Sequence, residues 1–109
     1  MSSTSTIEAG ADVVTLINTF TVRPEQQQEL VDDLVRATEE VIRHRPGFVA
    51  ANIHASLDGQ HVANYAQWRS VEDFRAMLAD PACQEHLKTA SELAQYQPIL
   101  YQVKSVHHS

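Results

Sequence analysis

The stretch FVAANIHASLDGQHVANYAQW, residues 48–68, sets two runs of β-forming residues on either side of an Asp58-Gly59 pair. Asp-Gly between alternating runs is the strongest short-range hairpin signal, because glycine supplies the positive φ that a tight turn needs. The reading is a strand over 48–56, a turn at LDGQ and a strand over 61–69. On the later strand, every second residue from Val62 gives Val62, Asn64, Ala66 and Trp68. An amide therefore sits in a row that otherwise reads as core.

Residues 13–22, VVTLINTFTV, are rich in β-branched residues and alternate, which predicts an earlier strand. RPEQQQEL opens a helix, with Pro24 suited to the first turn and Glu25 to the positive end of the dipole. Leu30, Val31, Leu34, Val35, Thr38, Val41 and Ile42 follow helical spacing, and Pro46-Gly47 ends that run. The charged stretch EQQQELVDD reads as a solvated face of the same helix.

After the hairpin, Ser70 with Asp73 three residues on resembles a capping box, and Phe74, Met77 and Leu78 share a helical face. Asp80-Pro81 interrupts the pattern and restarts it over 81 to about 95. Pro98 precedes a last strand, ILYQVKSV. The order β-α-β-β-α-β predicts an α+β, ferredoxin-like unit: a four-stranded antiparallel sheet with helices on one face.

The chain has 109 residues, a formal net charge of −6 and a single cysteine, Cys83. That is one domain by length, expected over 12–109 behind a flexible Ser/Thr-rich arm at 1–11. The acidic balance argues against nucleic acid. No run approaches the ~20 apolar residues of a membrane span. One cysteine allows no internal disulfide, the N-terminus has no signal-peptide pattern, and a reducing cytoplasm is the expected compartment. Cys83 reads as a packing residue, and the terminal HHS as a solvated end. No glycine-rich phosphate loop and no convincing metal-ligand spacing are found.

In this topology the first and third strands are neighbours. Leu16, Asn18, Phe20 and Val22 form the apolar row of one, and the Asn64 row that of the other. Asn18, Asn64 and Trp68 should then look into one space under the helices. A buried amide without a partner costs about 1–3 kcal/mol. Two of them beside an indole N–H point to a lined pocket; the plain alternative is that the amides bond each other or a buried water. The opposite rows, Thr15, Ile17, Thr19 and Thr21 with Ala63, Tyr65 and Gln67, have no helix to cover them. A second copy would cover that face, so a homodimer is expected, with Tyr65 at its interface.

The segments VTLINTFTV, PGFVAANIHASLDG and NYAQW, in this order and spacing, resemble the antibiotic biosynthesis monooxygenase (ABM) family of dimeric α+β barrels, from about residue 13 to 105. The resemblance is greatest to the cofactor-independent quinone-forming monooxygenases of aromatic polyketide pathways. It implies oxidation of a phenolic anthrone or dihydroquinone-like polycycle to a quinone by O₂, with no cofactor and no metal. It implies catalytic roles for Asn18, Asn64 and Trp68, and a pocket to which His54, Phe20, Phe74, Met77, Leu78 and His86 contribute, with Leu93 also shaping it. Two departures stand out: Phe74 falls where such relatives carry a tyrosine, and Lys88 is only a loose match to an arginine of the second helical segment.

Two other classes fit the same fold. Haem-degrading monooxygenases use an asparagine on the first strand, a helix tryptophan and an iron-ligating histidine. Asn18 and His86 match this pattern, but Met77 stands at the tryptophan position. A small-ligand-binding dimer without catalysis is the third class. Oxygen consumption with a suitable phenol separates an enzyme from a binder.

Overall fold

The computed structural model describes residues 3–109. The elements are β1 (Val14–Val22), α1 (Gln27–Glu40), β2 (Phe48–Ala55), β3 (His61–Trp68), α2 (Val71–Ala79), α3 (Pro81–Leu93) and β4 (Ala94–Tyr101). The four strands form one antiparallel sheet in the order β2-β3-β1-β4. This is the expected ferredoxin-like α+β fold, with β1 and β3 at its centre.

The hairpin forms where Asp58-Gly59 places it. Gly59 takes a φ of +79°. Asp58 Oδ1 accepts from the Gln60 backbone N–H and the Ser56 hydroxyl, at 2.9 and 2.6 Å. Those bonds, the Ser56 one foremost, hold the Asp58 carboxyl below its usual pKa. Gln27 Nε2 donates to the Ser56 and His61 carbonyls at 3.0 Å each, tying α1 to this turn.

The first helical run divides into three. Pro24–Gln26 and Ile42–His44 are 3-10 turns, and only Gln27–Glu40 is α-helix. Its buried face passes through Leu30, Asp33 and Ala37, whereas Val35 is 44% exposed. The stretch EQQQELVDD is therefore not wholly solvated, since it sends both Leu30 and Asp33 inward. Gly47 follows the second 3-10 turn with φ +83°, where a side chain would overlap the Asp73 carboxyl. Glycine is required there twice over, by conformation and by space.

Ser70 caps α2 as expected: its Oγ accepts from the Asp73 N–H at 3.1 Å and donates to Asp73 Oδ2 at 3.0 Å. Asp80 caps α3 through the Ala82 N–H and also pairs with Arg45 at 2.8 Å. The corner between α2 and α3 is thus pinned to the chain entering β2. Cys83 is fully buried, and desolvation raises its thiol pKa, so it packs as a small apolar group.

The last strand begins earlier than the sequence suggested. β4 starts at Ala94 and runs through Pro98, which lies opposite Asn18. A proline lacks the donor a central strand needs, but β4 is an edge strand in this sheet and tolerates it.

The helices cover one face of the sheet, over two apolar clusters. One contains Leu16, Ala66, Trp68, Phe74, Met77 and Cys83; the other contains Phe20, Val22, Leu30, Val62 and Ala90. On the opposite face, Thr15 and Gln67 are buried all the same. The N-terminal arm accounts for part of this. Gln67 Nε2 donates to the Thr6 carbonyl at 2.8 Å, and Ser5 Oγ donates to Asn52 Oδ1 at 2.7 Å. The arm is irregular in backbone, yet it lies against the sheet. Ile99 and Tyr101, on the same face of β4, stay exposed.

Candidate functional site

β1 and β3 pair in a register that sets Asn18 directly opposite Asn64, Leu16 opposite Ala66 and Phe20 opposite Val62. Side chains directly opposite on one sheet face stand about 4.5–5.5 Å apart at Cβ. The two amides are therefore neighbours on the face beneath the helices, and Trp68 lies farther along the same row of β3. All three line one cavity of about 230 Å³ between sheet and helices. Leu16, Phe20, Phe48, Phe74, Met77 and Leu78 give it an apolar wall.

Trp68 is 1% exposed and is held edge-on between Phe48 and Phe74, with ring centroids at 5.6 and 6.1 Å. Asn18 is 7% exposed. Asn18 Oδ1, Asn64 Oδ1 and Trp68 Nε1 are buried and have no hydrogen-bond partner among the described residues. The amides do not satisfy each other, so the direct amide–amide pairing that would explain them is not made. At roughly 1–3 kcal/mol each, three such groups are costly against a total stability of about 5–15 kcal/mol.

Of the residues expected at the site, Phe20, Phe74, Met77 and Leu78 line the cavity with the polar triad. His54 and His86 do not. A β-bulge between Phe48 and Ala50 shifts the register of β2. Counting alternation from Phe48 would put His54 under the helices. The bulge instead turns Ala51 and Ile53 inward and leaves His54 exposed, opposite Ala63 of the outer row. His86 lies one position before the cavity-lining Leu87 and looks away into a groove with Asp33, Arg36, Glu85 and Thr89. Its Nδ1 is 4.0 Å from Asp33 Oδ1. A haem ligand at His86 would have to leave that groove, so the residues present do not fit the haem arrangement. Lys88 is exposed on α3, and Leu93 packs in the second apolar cluster.

Several lining residues were not singled out from sequence: Thr38 and Ile42 from the end of the first helical run, Leu87 from α3, and Tyr96 and Pro98 from β4. The signal for Tyr96 was present. Tyr96, Pro98 and Leu100 alternate into the helix-side face, and reading through Pro98 as an edge strand recovers them.

The antibiotic biosynthesis monooxygenase family model matches residues 13–89. The chain belongs to that family. It is 52% identical over 99 residues to the tetracenomycin-F1 monooxygenase of Streptomyces glaucescens, spanning 91% of this chain and 88% of the relative. Among solved structures it resembles the ActVA-Orf6 monooxygenase of Streptomyces coelicolor, whose crystal structure holds nanaomycin D. That match has 32% identity and a TM-score of 0.79 over 88% of this chain and 91% of that one. It also resembles SnoaB, a cofactor-independent oxygenase from Streptomyces nogalater, at 28% identity and a TM-score of 0.77 over 88% and 97% of the two chains. The ABM protein described here is an enzyme of the monooxygenase class, of the polyketide-pathway kind.

Behind the cavity wall, Asp33 is 6% exposed and its Oδ2 has no partner among the described residues. Burial raises its pKa above 3.8, against the opposing pull of His86 and Arg36. A carboxyl whose pKa is raised on folding contributes stability below its unfolded pKa and loses it as pH rises through the folded value. Asp33→Asn removes that loss. The variant should melt a few degrees above the wild type at pH 7, and the difference should vanish below pH 3.8. Thermal unfolding followed by circular dichroism across this range checks it.

Proposed function

We propose that the enzyme oxidises a phenolic, fused polycyclic substrate of the anthrone or dihydroquinone type to a quinone, using O₂ and no cofactor. The observation that carries the proposal is the set of three unpartnered buried polar groups, Asn18, Asn64 and Trp68, around one otherwise apolar cavity. A cavity of about 230 Å³ lies just under the ~300–1,000 Å³ usual for ligand sites. It suits a flat aromatic system of a few rings with one end toward the mouth.

Apolar walls would hold the ring system and exclude water, which strengthens each polar contact inside. An amide can turn to offer either an acceptor or a donor. Asn18 and Asn64 would thus accept from substrate phenols in the ground state and donate to oxygen as charge develops. The indole N–H of Trp68 can only donate.

The substrate supplies the electrons. A ring CH₂ activated by the phenol system loses a proton, and the resulting carbanion forms a C–O bond to O₂, giving a peroxide on that carbon. The second C–H proton leaves, the O–O bond breaks with its electron pair going to the distal oxygen, and that oxygen departs as water. The carbon becomes a carbonyl. Four electrons leave the substrate and four enter O₂. Preorganised donors that meet the developing oxyanion are worth about 10²–10³ in rate each.

The purified, metal-free protein should consume O₂ with 1,8-dihydroxyanthrone above the spontaneous rate and yield the anthraquinone. Asn64→Ala should lower kcat about 10²-fold. Oxygen uptake no faster than the buffer blank with anthrones and dihydroquinones would contradict the proposal.

A homodimer formed through the outer sheet face completes this reading. Ile99 and Tyr101 are exposed there, and no helix covers the strands. A stable pair needs roughly 800 Å² buried per partner, which the face of a four-stranded sheet can provide. Sedimentation equilibrium should give twice the chain mass of 12.2 kDa. Ile99→Lys should shift the distribution toward the single chain, and a wild type that is monomeric at micromolar concentration would refute the pairing.

A further inference from the structure

The oxidation proposed above moves two protons from one substrate carbon to the departing water. The cavity lining has little to move them with. Its residues are aliphatic and aromatic, apart from the two amides, the indole, Thr38 and Tyr96. Amides and an indole do not exchange protons usefully near neutral pH. The Thr38 hydroxyl donates to the Leu34 carbonyl at 2.8 Å, so its proton is committed to the helix. No histidine, carboxylate, lysine or arginine is in the lining, and both histidines once expected there face elsewhere. Among the described residues, Tyr96 is the one in the lining with an ionisable side chain.

Its placement suits the task. Tyr96 lies opposite Phe20 on the sheet face under the helices, with ring centroids 5.6 Å apart and planes tilted by 38°. Phe20 is two residues from Asn18 on the same face, a strand repeat of about 7 Å. A three-ring ligand anchored at the amides therefore reaches the phenol. The residue lines the cavity and is 40% exposed, so it stands at the boundary between the cavity and solvent. A group at that boundary can recover a proton from water while acting on a substrate held in the dry interior.

We propose that Tyr96 is the proton-transfer residue of the enzyme, its hydroxyl donating to the departing oxygen and recovering the proton that the substrate carbon releases. The balance closes in each turnover. The first C–H proton, released as the carbanion forms, passes through the phenol to the distal peroxide oxygen and gives a hydroperoxide. As the O–O bond breaks, its electron pair goes to that distal oxygen, which takes a second proton from the phenol and leaves as water. The second C–H proton returns the phenolate to phenol, and its bonding pair completes the carbonyl. No oxidant beyond O₂ is consumed. Phe74, on the opposite helical wall, has no hydroxyl with which to share this role. The assignment rests on the oxidation proposed above.

The test is Tyr96→Phe, which keeps the ring against Phe20 and removes only the hydroxyl. Oxygen uptake with 1,8-dihydroxyanthrone gives kcat. Quenching of the single tryptophan by 1,8-dihydroxyanthraquinone gives ligand affinity independently of turnover. The expected result is a fall in kcat of about 10²-fold, affinity within twofold of wild type, and partial recovery of kcat as imidazole buffer is raised. Wild-type kcat in the variant overturns the assignment while leaving the parent reading standing. Equal losses of kcat and quinone affinity also overturn it, by making Tyr96 a packing residue. No uptake by the wild-type protein overturns both.

Discussion

The pairing of β1 with β3 is the constraint on which the rest of the molecule depends. One face of this central pair is sealed by α1, α2 and α3, so the register is fixed: a slip of one residue would send Leu16, Phe20, Val62 and Trp68 to the open side. The same register that buries these four must turn Asn18 and Asn64 inward between them. The fold cannot place its core without placing its amides. The proposed site is therefore part of the sheet's own ladder, held by rigid strands rather than by loops, an arrangement suited to holding donors in place.

A polar pair that the core is forced to bury, yet does not satisfy, works against the fold. Such conflict between local chemistry and global packing is expected where function has been given precedence over stability. Three of the unpartnered atoms, from Asn18, Asn64 and Trp68, meet in one wall. The opposite wall, from α2 and α3, is apolar and is pinned at its corner by Arg45 and Asp80 and at the start of α2 by Ser70 and Asp73. Thr15 Oγ1, Arg45 Nε and Asp33 Oδ2 are also buried without partners among the described residues, but none of them lines the cavity; Asp33 lies behind that wall beside His86 and opens into a different groove. Its cost belongs to the α1–α3 contact rather than to the cavity.

Much of this was legible in the chain itself. Alternation over 13–22 and 61–69 identifies the two central strands, and the apolar rows of those strands bring Asn18, Asn64 and Trp68 together on sequence alone. What alternation could not carry was a change of phase. The bulge after Phe48 reverses the parity of β2, and with it the side on which His54 stands. The helical equivalent is angular: His86 and Leu87 are adjacent in sequence but about 100° apart around α3, enough to put one in an outer groove and the other in the cavity. Pro98 concealed the start of β4 because a proline reads as a boundary unless the strand is known to be an edge. Tyr96 was lost with it.

The central claim is that Asn18 and Asn64 are retained for a ligand and not for the fold. Replacing each in turn with leucine, and measuring urea unfolding together with O₂ uptake, tests it most directly. Leucine removes an unsatisfied polar group from an apolar wall, so each variant should unfold with about 1–3 kcal/mol more free energy than the wild type, while anthrone oxidation is lost. Such a gain in stability at the expense of activity is the signature of a functional site. Variants that are less stable than the wild type would contradict the account, since the amides would then be structural members of the core.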